Sequence, residues 1–407
     1  VANIDPLAFD QSVDRISEQL RTIYRAAAAT EPATFVNLDM EEYGDLELSL
    51  VACMRVLDEP EFAAIDAGIV LQAYLPDSHD ALERLGHWSV ARNERSGGRI
   101  KVRIVKGANL AMELVDAEIH GWNPAPYARK SEVDASFKAL LDAALRPEWS
   151  RALRVGVASH NLFDVGWALV LGRELDAMER IDVEMLEGMA PGQARAVLAE
   201  VGDLLLYAPV VERADFAASI AYLARRLDEN TQAANFLRAL FDLEVGSPEW
   251  DEQEARFRAA VTARHHVDRR RRRGPLPRRL VFDNEPASDK TDAGVRAAIT
   301  AAVQRDDAPP VAILTDAAAV DRVVARAAAA FDGWRAASGG HRRAVVGRIA
   351  DQMRADRFET IAVMADETGK TAHEGDPEVS EAIDFAEYYR GPGIDLLESL
   401  RGDGVDV

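Results

Sequence analysis

Short apolar runs alternate with amphipathic segments along the first 240 or so residues. The runs at 35–40, 68–75, 100–106, 153–160, 181–186 and 204–211 are rich in Val, Ile and Leu. Runs of that kind fit strands buried on both faces of a parallel sheet. Between them the apolar positions recur at helical spacing, which predicts helices over 77–93, 131–145, 162–175 and 214–227. A further helix over 9–29 precedes the first strand. No glycine fingerprint opens the first crossover, so the pattern favours an α/β fold of the (β/α)8 TIM-barrel class over an open doubly wound sheet. Six strands are two short of eight, and the expectation is a barrel whose opening strands precede Val1.

The pattern changes near residue 259. A basic stretch from Arg264 to Arg279 contains Arg269–Arg273, Pro275 and Pro277, and reads as a solvated interdomain linker. Ala-rich segments at 317–338 and 341–357, and another at 377–389, predict long helices. The expected division is a barrel over 1–245, a helical and basic linker over 246–280, and a second, incomplete domain over 281–407. Gly369-Lys370-Thr371 does not read as a phosphate loop, because the earlier glycine is missing and its flanks are helical.

Charge and composition narrow the function. A net charge of −21 argues against general nucleic-acid binding, the basic stretch notwithstanding. The single cysteine, Cys53, excludes an intramolecular disulfide and a Cys-rich metal site, and no metal site is expected. Lying in the apolar stretch 48–57, it reads as a buried structural thiol. No apolar run is long enough to span a bilayer and none reads as a secretory signal, which makes a cytoplasmic protein the expectation.

Candidate chemistry gathers at the strand ends. Asp39, Gln72, Arg103, Lys106, His160, Asn161, Glu187 and Tyr207 all fall at or just past the C-terminal end of a predicted strand, the face where barrels build active sites. A further pair, Arg225-Arg226, opens the run Arg225-Arg226-Leu227-Asp228-Glu229-Asn230 on the helix expected after the last strand. Two adjacent guanidiniums read either as a solvated helix face with Glu229 as local partner, or as a bidentate clamp for a small carboxylate.

Several motifs carry a resemblance when taken together. They are Arg103-Ile104-Val105-Lys106-Gly107-Ala108-Asn109, Tyr207-Ala208-Pro209, the Arg225–Asn230 run, Leu38-Asp39-Met40-Glu41-Glu42 and Gln72-Ala73-Tyr74. Up to about Leu240 the chain resembles the proline dehydrogenase barrel of bacterial bifunctional proline-utilisation flavoenzymes. From about Val281 it resembles the opening helices of their glutamate-γ-semialdehyde dehydrogenase part, through Phe282–Pro286, Glu367–Thr371 and Glu381–Phe385. The chain therefore looks like a central fragment of such a protein.

The resemblance implies oxidation of L-proline to pyrroline-5-carboxylate with FAD, followed in the parent protein by NAD-dependent oxidation of the semialdehyde to glutamate. Gln72 and Arg103 would sit by the reactive edge of the flavin, with Lys106, Gly107 and Ala108 lining it. Met40, His160, Asn161 and Glu187 would contact the rest of the cofactor, although His160 reads equally as a core histidine. Arg225 and Arg226 would clamp the proline carboxylate with Glu229 orienting them; Tyr207 and Tyr222 would wall the ring, or Tyr222 would simply pack. Asp39 would place Arg103 or a neighbour. A quinone acceptor, peripheral membrane contact and a homo-oligomer are implied by family alone. Two departures stand out. Asn109 replaces an aromatic, and neither a cysteine after Cys53 nor a nicotinamide-binding glycine loop is present, so the NAD site is not in this sequence. The rival readings are a flavin-free barrel lyase using Lys106 as an amine nucleophile, and a non-catalytic fragment.

Overall fold

The structure, a computed structural model, describes residues 5–217, 219, 220, 224, 236, 243–276, 282–305 and 315–402. The chain divides into two compact units, Val1–Asp116 with Pro124–Arg273, and Ala117–Asn123 with Gly274–Val407.

In the first unit all six expected strands form. They are β1 (Val36–Leu38), β2 (Ala67–Gln72), β3 (Ile100–Val105), β5 (Leu153–Ala158), β6 (Ile181–Leu186) and β7 (Leu205–Tyr207). They pair in parallel in the order β1-β2-β3-β5-β6-β7, and the sheet curls as in part of a barrel. Val36 lies opposite Ala67, Ala67 opposite Ile100, and Ile100 opposite Leu153. The helices are α1 (Phe9–Ala28), α2 (Leu46–Leu57), α3 (Asp77–Ser96), α4 (Leu110–His120), α5 (Lys130–Ala144), α6 (Leu162–Glu174), α7 (Pro191–Val201) and α8 (Pro248–Ala263). In α1 the buried Val13, Ile16, Leu20 and Tyr24 recur every three to four residues, giving one apolar stripe. Ile69, Leu71, Val102, Ile104, Val155 and Val157 of the sheet meet Leu82, Leu85, Leu140 and Leu141 of α3 and α5 in one core. Each such burial contributes about 1.5–3 kcal/mol. Gly86 lets α3 close on Trp149, since a Cβ there would lie 2.3 Å from the indole.

Cys53 is 1% exposed, and burial pushes its thiol up to about 12, which makes it inert packing. His79 on α3 is 3% exposed, with Nε2 2.9 Å from Ser136 Oγ on α5. Burial, with Arg269 adding repulsion, pushes its imidazole down to about 4. The stability held by the neutral ring is therefore complete above pH 6.5 and drains away as pH falls through about 4, a loss of about 3 kcal/mol. Unfolding free energies of wild type and His79→Gln, compared from pH 7 to pH 4, should converge by that amount. A constant gap between them would refute the assignment.

The basic stretch differs from a solvated linker in its details. Helix α8 packs on α5 and α6, with Arg264 Nε 2.7 Å from Asp142 Oδ2. Arg273 is 7% exposed and pairs with Asp116 at 2.6 Å, above the Tyr43 ring. A run of arginines reads as solvated because the acidic and aromatic partners lie far away in sequence. Of the helix expected over 214–227, residues 218, 221–223 and 225–227 lie outside the described residues; 213–215 form a 3-10 turn.

The second unit is helical: α9 (Ala293–Val303), α10 (Ala317–Ala336), α11 (Gly339–Ala355), α12 (Arg357–Thr368), α13 (Ala372–Tyr388) and α14 (Ile394–Gly402). Ala350, Ile361, Val379 and Ile383 make its core. Beside it the fully buried Asp376 accepts from Ser288 and Arg357. A short antiparallel ladder, which the sequence did not suggest, joins β4 (Trp122–Asn123) to β8 (Gly274–Pro275). Gly369, at φ 71°, ends α12, and Thr371 opens α13 with a capping box to Glu374. The Gly-Lys-Thr run is helix punctuation.

Candidate active site

Side chains two residues apart on a strand share a face, so Lys101 and Arg103 of β3 point the same way, as do Asp182 and Glu184 of β6. Strand β5 separates these two strands, a gap of about 9–10 Å. Gly156, the β5 residue opposite both Arg103 and Asp182, closes it: a Cβ there would lie 2.4 Å from Glu184 Oε1. With no side chain in the way, Glu184 reaches across β5. Arg103 Nε donates to Glu184 Oε2 at 2.5 Å, and Arg103 Nη1 donates to Asp39 Oδ1 at 2.8 Å. Lys101 Nζ sits 2.7 Å from Glu184 Oε1, in charge contact rather than an aligned hydrogen bond, and 3.7 Å from Asp182. Arg154 continues to Asp182 at 2.5 Å. The result is an alternating ladder, Arg154, Asp182, Lys101, Glu184, Arg103, Asp39. Burial works against the Arg103 charge, but Glu184 and Asp39 outweigh it and hold its pKa above the ordinary value.

Lys106, just past β3, turns instead to α5 and α6. Its Nζ lies 2.5 Å from Asp134 and 2.6 Å from Asp164, while Lys138 also pairs with Asp164 at 2.6 Å and Lys130 with Asp134 at 2.7 Å. Burial disfavours the Lys106 ammonium, but Asp164 and Asp134 outweigh it and raise its pKa. Burial likewise opposes ionised Asp134, yet Lys106 and Lys130 hold it down at about 2. Lys106 is a fixed positive charge, not a free amine.

The remaining candidates fall around the same strand ends. Gln72 is buried and its amide donates to the Met40 and Glu41 carbonyls, pinning the loop after β1; Met40 itself lies in the core. Gly107 has φ +125°, and a Cβ there would strike the Tyr74 ring at 2.5 Å, so only glycine fits; Ala108 beside it is exposed. Asn161 caps α6 through a bond from the Phe163 N–H, which accounts for it structurally. His160 Nε2 accepts from the Leu186 N–H at 3.0 Å, and burial lowers the ring's pKa, so the proton belongs on Nδ1. Among the described residues that buried Nδ1 has no partner. Glu187 is exposed, and Tyr207 is partly exposed at the end of β7. Tyr222, Arg225, Arg226 and Glu229 lie outside the described residues.

Sequence reasoning passed over Lys101, Glu184, Asp134, Asp164 and Gly156. The signal for Glu184 was present, since a carboxylate inside the apolar strand Ile181–Leu186 must meet a cation or be neutralised. Among the described residues no group of side chains has metal-holding geometry, and no helix is long and apolar enough to cross a membrane.

The profile of the proline dehydrogenase family matches residues 3–239, and that of the aldehyde dehydrogenase family matches 311–401. The bifunctional protein PutA of Escherichia coli is 25% identical over 93% of this chain and 31% of its own length. That of Rhizobium meliloti is 29% identical over 87% of the chain and 31% of its length. The chain thus spans about a third of these curated relatives. Proline utilization A from Corynebacterium freiburgense superposes with a TM-score of 0.83 at 43% identity, over 96% of this chain and 38% of that one. The Bdellovibrio bacteriovorus protein, solved after inactivation by N-propargylglycine, gives 0.82 at 28% identity, over 96% of this chain and 42% of that one.

Proposed function

The chain belongs to the proline dehydrogenase family, and on that premise we propose that it carries the flavin-dependent half of a bifunctional proline-oxidising enzyme. The observation that carries the reading is Arg103, fixed by Glu184 and Asp39 in the C-terminal half of β3 and followed by the turn at Gly107.

These residues fit FAD. Ala108 is exposed just past the turn that Gly107 makes against the Tyr74 ring, and the orphaned His160 Nδ1–H is, among the described residues, a buried donor in want of an acceptor. A bound FAD would supply the acceptor for the hydride that leaves the proline carbon next to the ring nitrogen. Arg103 and Lys106 place fixed positive charge where negative charge develops on reduction, and neither has to reorganise to do so. Gln72, Met40, Asn161 and Glu187 complete the cofactor's surroundings in this reading. Arg225 and Arg226 receive the proline carboxylate, Glu229 orients the forks, and Tyr207 and Tyr222 enclose the ring. Asp39 keeps the Arg103 guanidinium in place and is not assigned the role of base. A lyase using Lys106 as nucleophile is disfavoured, because an amine held between two carboxylates stays protonated.

The segment matching aldehyde dehydrogenase contributes to NAD-dependent oxidation of the semialdehyde in the complete protein, a cytoplasmic homo-oligomer passing electrons to a quinone at the membrane face. Anaerobic addition of L-proline to the purified complete protein is expected to bleach a flavin absorption band. A flavin that stays oxidised would refute the reading. In the complete protein, Arg225→Ala with Arg226→Ala should retain FAD and lose affinity for proline, and unchanged affinity would remove the clamp.

A further inference from the structure

The ladder in the sheet interior holds two charges that the reaction does not use. Glu184 is 3% exposed and Lys101 is 5% exposed. Removing ions of this size from water costs several kcal/mol each, and apolar residues of similar volume serve stability as well or better. Their presence calls for a role beyond holding the sheet together. The space for them is built: Gly156 is vacant of side chain where the Glu184 carboxylate crosses β5, and the Lys101 ammonium rests 4.7 Å above the Phe35 ring.

We propose that Glu184 and Lys101 are positioning residues that set the charge Arg103 presents at the sheet's C-terminal face, and through it the reduction potential of the flavin. The inference rests on the flavin reading above. Glu184 binds Arg103 at Nε, on the side away from Asp39 at Nη1, so the guanidinium plane is fixed at two points. Its negative charge also offsets part of the field of Arg103. Lys101 in turn offsets Glu184, and Asp182 and Arg154 carry the alternation on toward solvent. In a water-poor interior such charges act at longer range than on a surface.

The two substitutions make opposite predictions. Glu184→Gln keeps the shape and removes an anion, so the flavin is expected to become easier to reduce and its midpoint potential to rise. Lys101→Met removes a cation and leaves Glu184 less balanced, so the potential should fall. The double variant removes one charge of each sign and should return toward wild type. Flavin midpoint potentials of the complete protein, wild type and all three variants, are measured by anaerobic redox titration. Shifts of opposite sign with recovery in the double variant support the proposal. Shifts of the same sign, or none, overturn it, because a purely structural loosening gives no reason for the sign to follow the charge. Should Glu184→Gln fail to fold, a fall in Lys101→Met that the double variant reverses supports the proposal, and a rise or no shift in Lys101→Met overturns it. A wild-type protein that binds flavin unresponsive to proline would sink the catalytic reading alone; one that binds no flavin would sink both.

Discussion

Replacing Arg103 by methionine in the complete protein is expected to abolish bleaching of the flavin by proline and to destabilise the fold. The side chain is 11% exposed and holds Glu184, itself 3% exposed, so its removal strands one end of a buried carboxylate. Breaking a buried pair from one side costs about 3–5 kcal/mol, and the surviving Lys101 contact puts this case near 3. Asp39, half exposed, is rehydrated at little cost. The two losses separate in a second-site test. Adding Glu184→Gln to Arg103→Met removes that stranded charge but leaves Lys101 to Asp182 at 3.7 Å, so part of the stability should return while the flavin stays oxidised. Urea midpoints read the first effect and anaerobic spectra the second. A double variant that regained proline-dependent bleaching would show that Arg103 serves the fold rather than the chemistry.

The second large effect is expected at Asp164, whose side chain is 2% exposed and which faces Lys106 and Lys138, the latter 1% exposed. Asp164→Leu leaves two ammoniums without that counter-charge, and among the described residues Lys138 keeps the Phe257 ring at 5.1 Å. The expected cost is about 3–5 kcal/mol. Lys138→Met is milder, about 1 kcal/mol, because Asp164 still has Lys106. Combining the two removes the stranded charge, so the double variant should be more stable than the sum of the single effects by about 2 kcal/mol. Additive effects in chemical denaturation would mean that the ion cluster is not one unit.

Much of this was legible in the chain itself. Short runs dominated by Val, Ile and Leu, such as Ile100–Val105 and Leu153–Ala158, announce strands even with Lys101, Arg103 and Arg154 among them, because branched side chains suit the pleated, largely buried surface. Their alternation with helical spacing forces parallel crossovers, and the position of Arg103 at a strand's end marks the face where chemistry is built. The Arg103-to-Asn109 motif, taken with the other four, carried the resemblance. Local patterns of this kind are set by residues within one or two turns of each other, so a single sequence holds them.

Contacts between distant residues were decided only by the fold. That Glu184 rather than solvent receives Arg103 depends on an 81-residue separation, on the parallel register of β3, β5 and β6, and on the missing side chain of Gly156 between them. Lys106 reads from sequence as a strand-end cation, and only the fold supplies the carboxylates that hold it charged, Asp134 and Asp164, which arrive on two different helices. Arg273 reads as part of a solvated run and is buried against Asp116 and Tyr43. In each case the sequence states that a charge exists, whereas its partner, its burial and therefore its energy follow from which elements the sheet brings side by side.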